Sequence, residues 1–103
     1  MADLIVPDSM QTSYDNFKFA PAQQHNGILY CSGQLGTAQD GKIPDDVEEE
    51  FRNAWTAVGV ILEAAGMDFT NIVEFTTYHV GLQANLGAFM KIKDEFIQEP
   101  YPA

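Results

Sequence analysis

Apolar residues recur at spacings of three and four across residues 47–65. Val47, Phe51, Ala54, Trp55, Val58, Ile61, Leu62 and Ala65 make one stripe, which predicts an amphipathic helix packed along that face. Asp45 or Asp46 can accept the free amides at its start, and Glu48 and Glu49 complement the positive end of its dipole. Gly66 stands where a left-handed stop is wanted. Gly59 costs about 1 kcal/mol inside a helix relative to Ala, so close packing on a sheet is its expected reason. A second stripe (Leu86, Phe89, Met90, Ile92, Phe96 and Ile97) predicts a helix over 85–97, which Pro100 and Pro102 stop. Elsewhere the period is that of strands. Lys18-Phe19-Ala20 and Ile28-Leu29-Tyr30-Cys31 flank Asn26-Gly27, a pair suited to the positive φ angles of a tight hairpin. Pro21 marks the first of these strands as an edge or a bulge. Residues 72–80 are rich in β-branched and aromatic side chains, with both faces apolar or Thr, and read as a central strand ended by Gly81.

Residues 35–46 read as a loop, and residues 1–13, with no clean period, as a loosely attached N-terminal arm. Strand, strand, helix, strand, helix predicts an α+β domain, its sheet covered on one face by two helices. Three strands leave open edges, an uneasy endpoint. The length, 103 residues, allows one domain (1–103) with a small core whose stability needs good packing or a partner.

Charge and cysteine usage then narrow the partners. Fifteen acidic residues oppose five basic ones, a net charge of −10, and the basic residues are scattered, so nucleic acid is excluded as a direct partner. Cys31 is the single cysteine; it has no intrachain disulfide partner, and one Cys with two distant His residues does not make a metal site. There is neither a secretory pattern at the N-terminus nor an apolar run long enough for a membrane span. The expectation is a cytoplasmic protein with no metal, no cofactor and no membrane contact.

Familiar catalytic signatures are missing. Gly33 and Gly36 precede an acidic loop, not a helix, and Ser32 lies in Cys-Ser-Gly-Gln, which is no hydrolase elbow. His25 reads as an exposed turn residue. His79 reads as a hydrogen-bonded interior or interface histidine, with a ligand role as the alternative. Cys31 reads as a small buried hydrophobe, and Phe51 and Trp55 as core. Ser32-Gly33 is the most suggestive pair. A glycine just after a strand lets a ligand approach the backbone, and the hydroxyl supplies a polar contact; a plain strand-ending bend is the equal alternative.

Four segments together carry a resemblance: Ile28-Leu29-Tyr30-Cys31-Ser32-Gly33-Gln34, Ile61-Leu62-Glu63-Ala64-Ala65-Gly66, Ile72-Val73-Glu74-Phe75-Thr76-Thr77-Tyr78 and Tyr101-Pro102-Ala103. From about Phe19 onward the chain resembles the RidA family, also called YjgF or L-PSP endoribonuclease-like. The resemblance implies a chorismate-mutase-like (bacillus type) sandwich, with the family's last two strands absent from this chain. It further implies a homotrimer with clefts between subunits that take a small carboxylate or imine-type ligand. Well-known members deaminate 2-imino or 2-enamino acids to keto acids and ammonia without a cofactor. Carried over residue by residue, the family's ligand cleft falls on Phe19, Ser32, Gly33 and Met90. The sequence departs from the pattern at two of these: Phe19 stands where the family has a tyrosine, and Met90 where it has an asparagine. The family's carboxylate-gripping arginine and water-activating glutamate belong past Ala103. The resemblance thus leaves three readings: an imine deaminase, a non-catalytic ligand-binding or chaperone-like module, and the endoribonuclease or translation inhibitor of the family's name.

Overall fold

The computed structural model describes residues 2–103. Its sheet is an antiparallel meander of three strands in the order β1–β2–β3: β1 Asp3–Ile5, β2 Ala22–His25 and β3 Ile28–Cys31. The hairpin expected at Asn26-Gly27 forms, with φ of 52° and 79° at the two residues. This two-residue turn sets the register, pairing His25 with Ile28, Gln23 with Tyr30 and Ala22 with Cys31. The first strand of the hairpin starts later than its sequence suggests. Residues 11–17 instead form a short helix, α1 (Gln11–Phe17), which Lys18 ends in the left-handed conformation at φ 62°. The segment expected to be a loose arm contains β1, whose Ile5 pairs with Ala22 and Asp3 with Gln24.

Two longer helices follow, α2 (Val47–Ala64) and α3 (Leu82–Phe96). Asp46 caps α2, its Oδ1 accepting from the Glu48 amide at 3.0 Å, and Gly66 turns the chain with φ 74°. The second helix begins three residues before the expected start, because left-handed Gly81 (φ 74°) opens it and accepts the Asn85 amide at 3.2 Å. Two ion pairs show that the helices run parallel. Lys91 reaches Glu48 and, one turn further along both helices, Arg52 grips Glu95. The core lies between α2, α3 and the chain that joins them: Trp55, Phe89, Ile92 and Ile97 are buried, with Phe51, Phe69, Ile72, Phe75 and Phe96 packed around them.

Two expectations need correction. Gly59 faces the Phe69 ring rather than a sheet, since a Cβ there would meet ring atoms at 3.0 and 3.2 Å. Residues 72–80 are extended but not a paired strand. Their ladder contacts are two bonds, from the Ala103 amide to the Val73 carbonyl (3.0 Å) and from the Phe75 amide to the Ala103 carbonyl (2.9 Å). Such bonds on either side of one residue are the parallel pattern, and a single rung does not make a strand. The expected two-sided burial fails with it: Phe75 and His79 pack toward the helices, while Tyr78 is 93% and Val80 100% exposed.

The Arg52–Glu95 pair has a pH signature. Arg52 Nε donates to Glu95 Oε1 at 3.0 Å and Nη2 to Oε2 at 2.6 Å. This bidentate bond holds the Glu95 carboxyl below its ordinary 4.5. A carboxyl depressed in the folded state stabilises fully above its unfolded value and loses that contribution as pH falls through the folded one. Arg52→Gln is therefore expected to lower the urea midpoint slightly at neutral pH, with the two proteins converging as pH falls below 4.5 and through the depressed value.

Candidate functional site

The register of the hairpin places Ser32 one step beyond the last β3 pair. Its amide donates to the Pro21 carbonyl at 2.9 Å and its hydroxyl to the Ala20 carbonyl at 2.6 Å. Gln34 closes the arrangement by donating from Nε2 to the Ser32 carbonyl at 3.3 Å. Ser32 thus staples the chain that enters β2 to the chain that leaves β3. Ser32→Ala is expected to cost about 0.5–1.5 kcal/mol for that hydrogen bond, read as a shift in the urea midpoint with an unchanged slope.

Beside this staple is an open cavity of about 360 Å³, lined by Ala2, Ala20, Ala22, Gln23, His25, Tyr30 and Ser32. Of the four residues carried over from the family's cleft, Ser32 lines it directly. Phe19 and Gly33 are chain neighbours of Ala20 and Ser32; Phe19 is 57% exposed, and a Cβ on Gly33 would meet nothing within 4 Å. Met90 sits elsewhere, on α3, continuing a half-exposed stripe with Leu82 and Leu86. The cavity residues without a counterpart in the sequence reading are Gln23 and Tyr30, together with His25, which ends β2 rather than lying in the turn. Their signal was available: a two-residue turn at 26–27 sets 23 opposite 30, and alternation then puts His25 on the same face as Gln23.

The cavity lining carries no lysine, arginine or carboxylate. Arg52, Lys91 and Lys93 are engaged with Glu95, Glu48 and Asp94. His79 is remote from the cavity lining. Its ring stands edge-on to Phe89 (4.6 Å between centroids) and Phe51 (5.6 Å), with Nε2 3.0 Å from the Thr77 hydroxyl. Cys31 departs from the expected burial, being exposed, although partial desolvation by its neighbours still pushes its thiol above the ordinary value. A raised thiol holds less thiolate and is a poor nucleophile. Among the described residues no group of three His, Cys, Asp or Glu is placed to hold a metal ion, and no helix is long and apolar enough to cross a membrane. The arrangement can offer hydrogen bonds from uncharged groups and an open approach to backbone at Gly33.

Comparison with known proteins agrees with this architecture. A RutC family protein, YjgH of Escherichia coli strain K12, is 28% identical over 99 residues, which are 95% of this chain and 76% of that protein. A solved structure of protein YJGH superposes with a TM-score of 0.89 at 26% identity, covering 99% of this chain and 79% of that one. A 2-iminobutanoate/2-iminopropanoate deaminase of Bos taurus is 40% identical over 80 residues, 73% of this chain and 56% of that protein, so the chain spans little more than half of its length. The crystal structure of RidA from a Psychrobacter species shares the fold, with a TM-score of 0.69 at 20% identity, over 96% of this chain and 76% of that one. The family model described as Endoribonuclease L-PSP matches residues 13–103. With its hairpin, its two parallel helices and the Ser-Gly step after β3 all shared with that model's span, the chain belongs to the endoribonuclease L-PSP family, the RidA or YjgF proteins.

Proposed function

We propose that this protein is a cytoplasmic small-molecule protein of the RidA type, which binds an imine or enamine ligand at Ser32 and Gly33 and hydrolyses it to a keto compound and ammonia. The observation that carries the reading is the stapled Ser32 beside an open cavity, in a chain 40% identical over 80 residues to a relative named for imine deamination. A backbone cleared at Gly33 and a hydroxyl held in one orientation can position a planar imine for attack by water. No charged residue lines the cavity, so water itself is the nucleophile that the lining leaves room for.

Assembly belongs to the same proposal. Large apolar side chains stand open to solvent on several elements, Phe17 at 70%, Leu35 at 72% and Val73 at 79% among them. Surface of this kind favours association with further copies, and we propose the homotrimer, with Phe19 and Met90 bordering clefts between subunits. Light scattering tests it; a monomeric mass would remove both the trimer and the intersubunit cleft.

The activity test is direct. Incubation with enzymatically generated 2-iminobutanoate should speed loss of the imine over buffer, and no acceleration at micromolar protein would overturn the deaminase reading. A second reading, ligand binding without turnover, is favoured by one observation. Phe19 and Met90 supply no hydroxyl or amide at the positions where relatives of this family carry them. Saturable binding with no imine loss would decide for it.

A further inference from the structure

The Ser32 hydroxyl has a single proton, and the 2.6 Å bond to the Ala20 carbonyl commits it. Toward the cavity Ser32 therefore presents lone pairs alone, an acceptor that calls for a donor on whatever sits there. The other polar groups are Gln23 and Tyr30, directly opposite one another across β2 and β3, and His25 two residues along on the same face. Among the described residues none of these three side chains makes a hydrogen bond within the protein, so all three are free to serve a ligand. Gln23 offers both an amide donor and a carbonyl acceptor, and Tyr30 can play either part. Asp3, the nearest carboxylate in the sheet, pairs with Gln24 and so projects from the opposite face.

From this inventory we infer that the cavity takes an uncharged planar group carrying a donor beside an acceptor, such as a primary amide or a neutral enamide, and rejects the matching carboxylate. The donor N–H faces Ser32 Oγ, and the neighbouring carbonyl accepts from Gln23 Nε2 or the Tyr30 hydroxyl. A carboxylate accepts only, so against Ser32 it meets lone pair with lone pair. It would also be desolvated beside no lysine or arginine, in a chain of net charge −10. The cavity volume, about 360 Å³, lies within the range of small-ligand sites. The inference rests on the small-ligand reading of Ser32 above and specifies the charge class that this reading leaves open.

Benzamide and benzoate, alike in shape and different in charge, are the probes. In a ¹⁵N NMR titration of the full chain, benzamide is expected to shift the amides of Gln23, Tyr30 and Ser32, with benzoate weaker by about tenfold or more. Gln23→Leu, at an exposed position, should weaken benzamide about two- to tenfold, the range of one neutral hydrogen bond, while keeping the dispersed spectrum of the folded protein. Benzoate binding as tightly as benzamide, shifts centred away from the cavity, or no saturable shift at millimolar probe would each overturn the inference. Imine turnover is read separately. Benzamide binding without turnover would sink deamination and leave this inference standing, whereas turnover with a preference for benzoate would do the reverse.

Discussion

Trp55→Ala should bring this protein close to unfolding at room temperature. The indole is 6% exposed and is the hub of the aromatic core. Phe75 stands edge-on to it at 5.2 Å, Phe96 lies nearly parallel at 6.2 Å and Phe69 is tilted at 6.3 Å. These rings come from α2, α3 and the joining chain, so one side chain holds three parts of the fold together. Truncating a buried tryptophan costs about 3–5 kcal/mol, out of a total that for a domain is about 5–15 kcal/mol. Because Trp55 is the sole tryptophan, urea unfolding must be followed by far-ultraviolet circular dichroism. A fall in midpoint corresponding to less than about 1 kcal/mol would mean that the core does not depend on this ring. Val73→Ala, at a side chain 79% exposed, is the matched control and should be nearly silent.

Gly36→Ala should have the next largest effect, although only one methyl group is added. Gly36 is buried where the loop after β3 crosses α2, and a Cβ there would overlap the carbonyl oxygen of Glu50 and press on that residue's Cγ at 2.6 Å. A helix carbonyl cannot swing aside as a flexible side chain can. The loop must move instead, breaking the bond from Asn53 Nδ2 to the Gly36 carbonyl at 3.3 Å. Overpacking of this kind costs about 1–3 kcal/mol, to be read from the shift in thermal midpoint. Gly33→Ala adds the same methyl where nothing lies within 4 Å and should leave stability unchanged. Equal losses for both variants would refute the packing argument.

Much of this structure was legible in the local pattern. The stripe from Val47 onward, the Asp46 cap, the Gly66 stop and the Asn26-Gly27 turn each depend on neighbours within a few residues, and each formed as expected. The hairpin register carried Ser32 to its place beside Ala20. Residues 72–80 show the limit of the same reasoning: their composition suits a strand, but a strand needs a partner, and pairing is a property of distant segments. The N-terminus failed in the opposite sense. Three residues, Asp3–Ile5, show no periodicity worth counting, yet β2 offers them an edge to pair with.

For the site, residue type and order identified the Ser-Gly step as the place of interest, because a hydroxyl and a bare backbone at a strand end are chemical facts of the chain. Which way the Ser32 proton points depended on Ala20, twelve residues away, arriving at hydrogen-bond distance. The same is true of the cavity, whose Gln23, His25 and Tyr30 converge only because two strands pair in one register. Chemistry within reach of a few bonds can be read along the chain. The direction of a proton and the charge class of a cavity are set by groups that folding alone brings together.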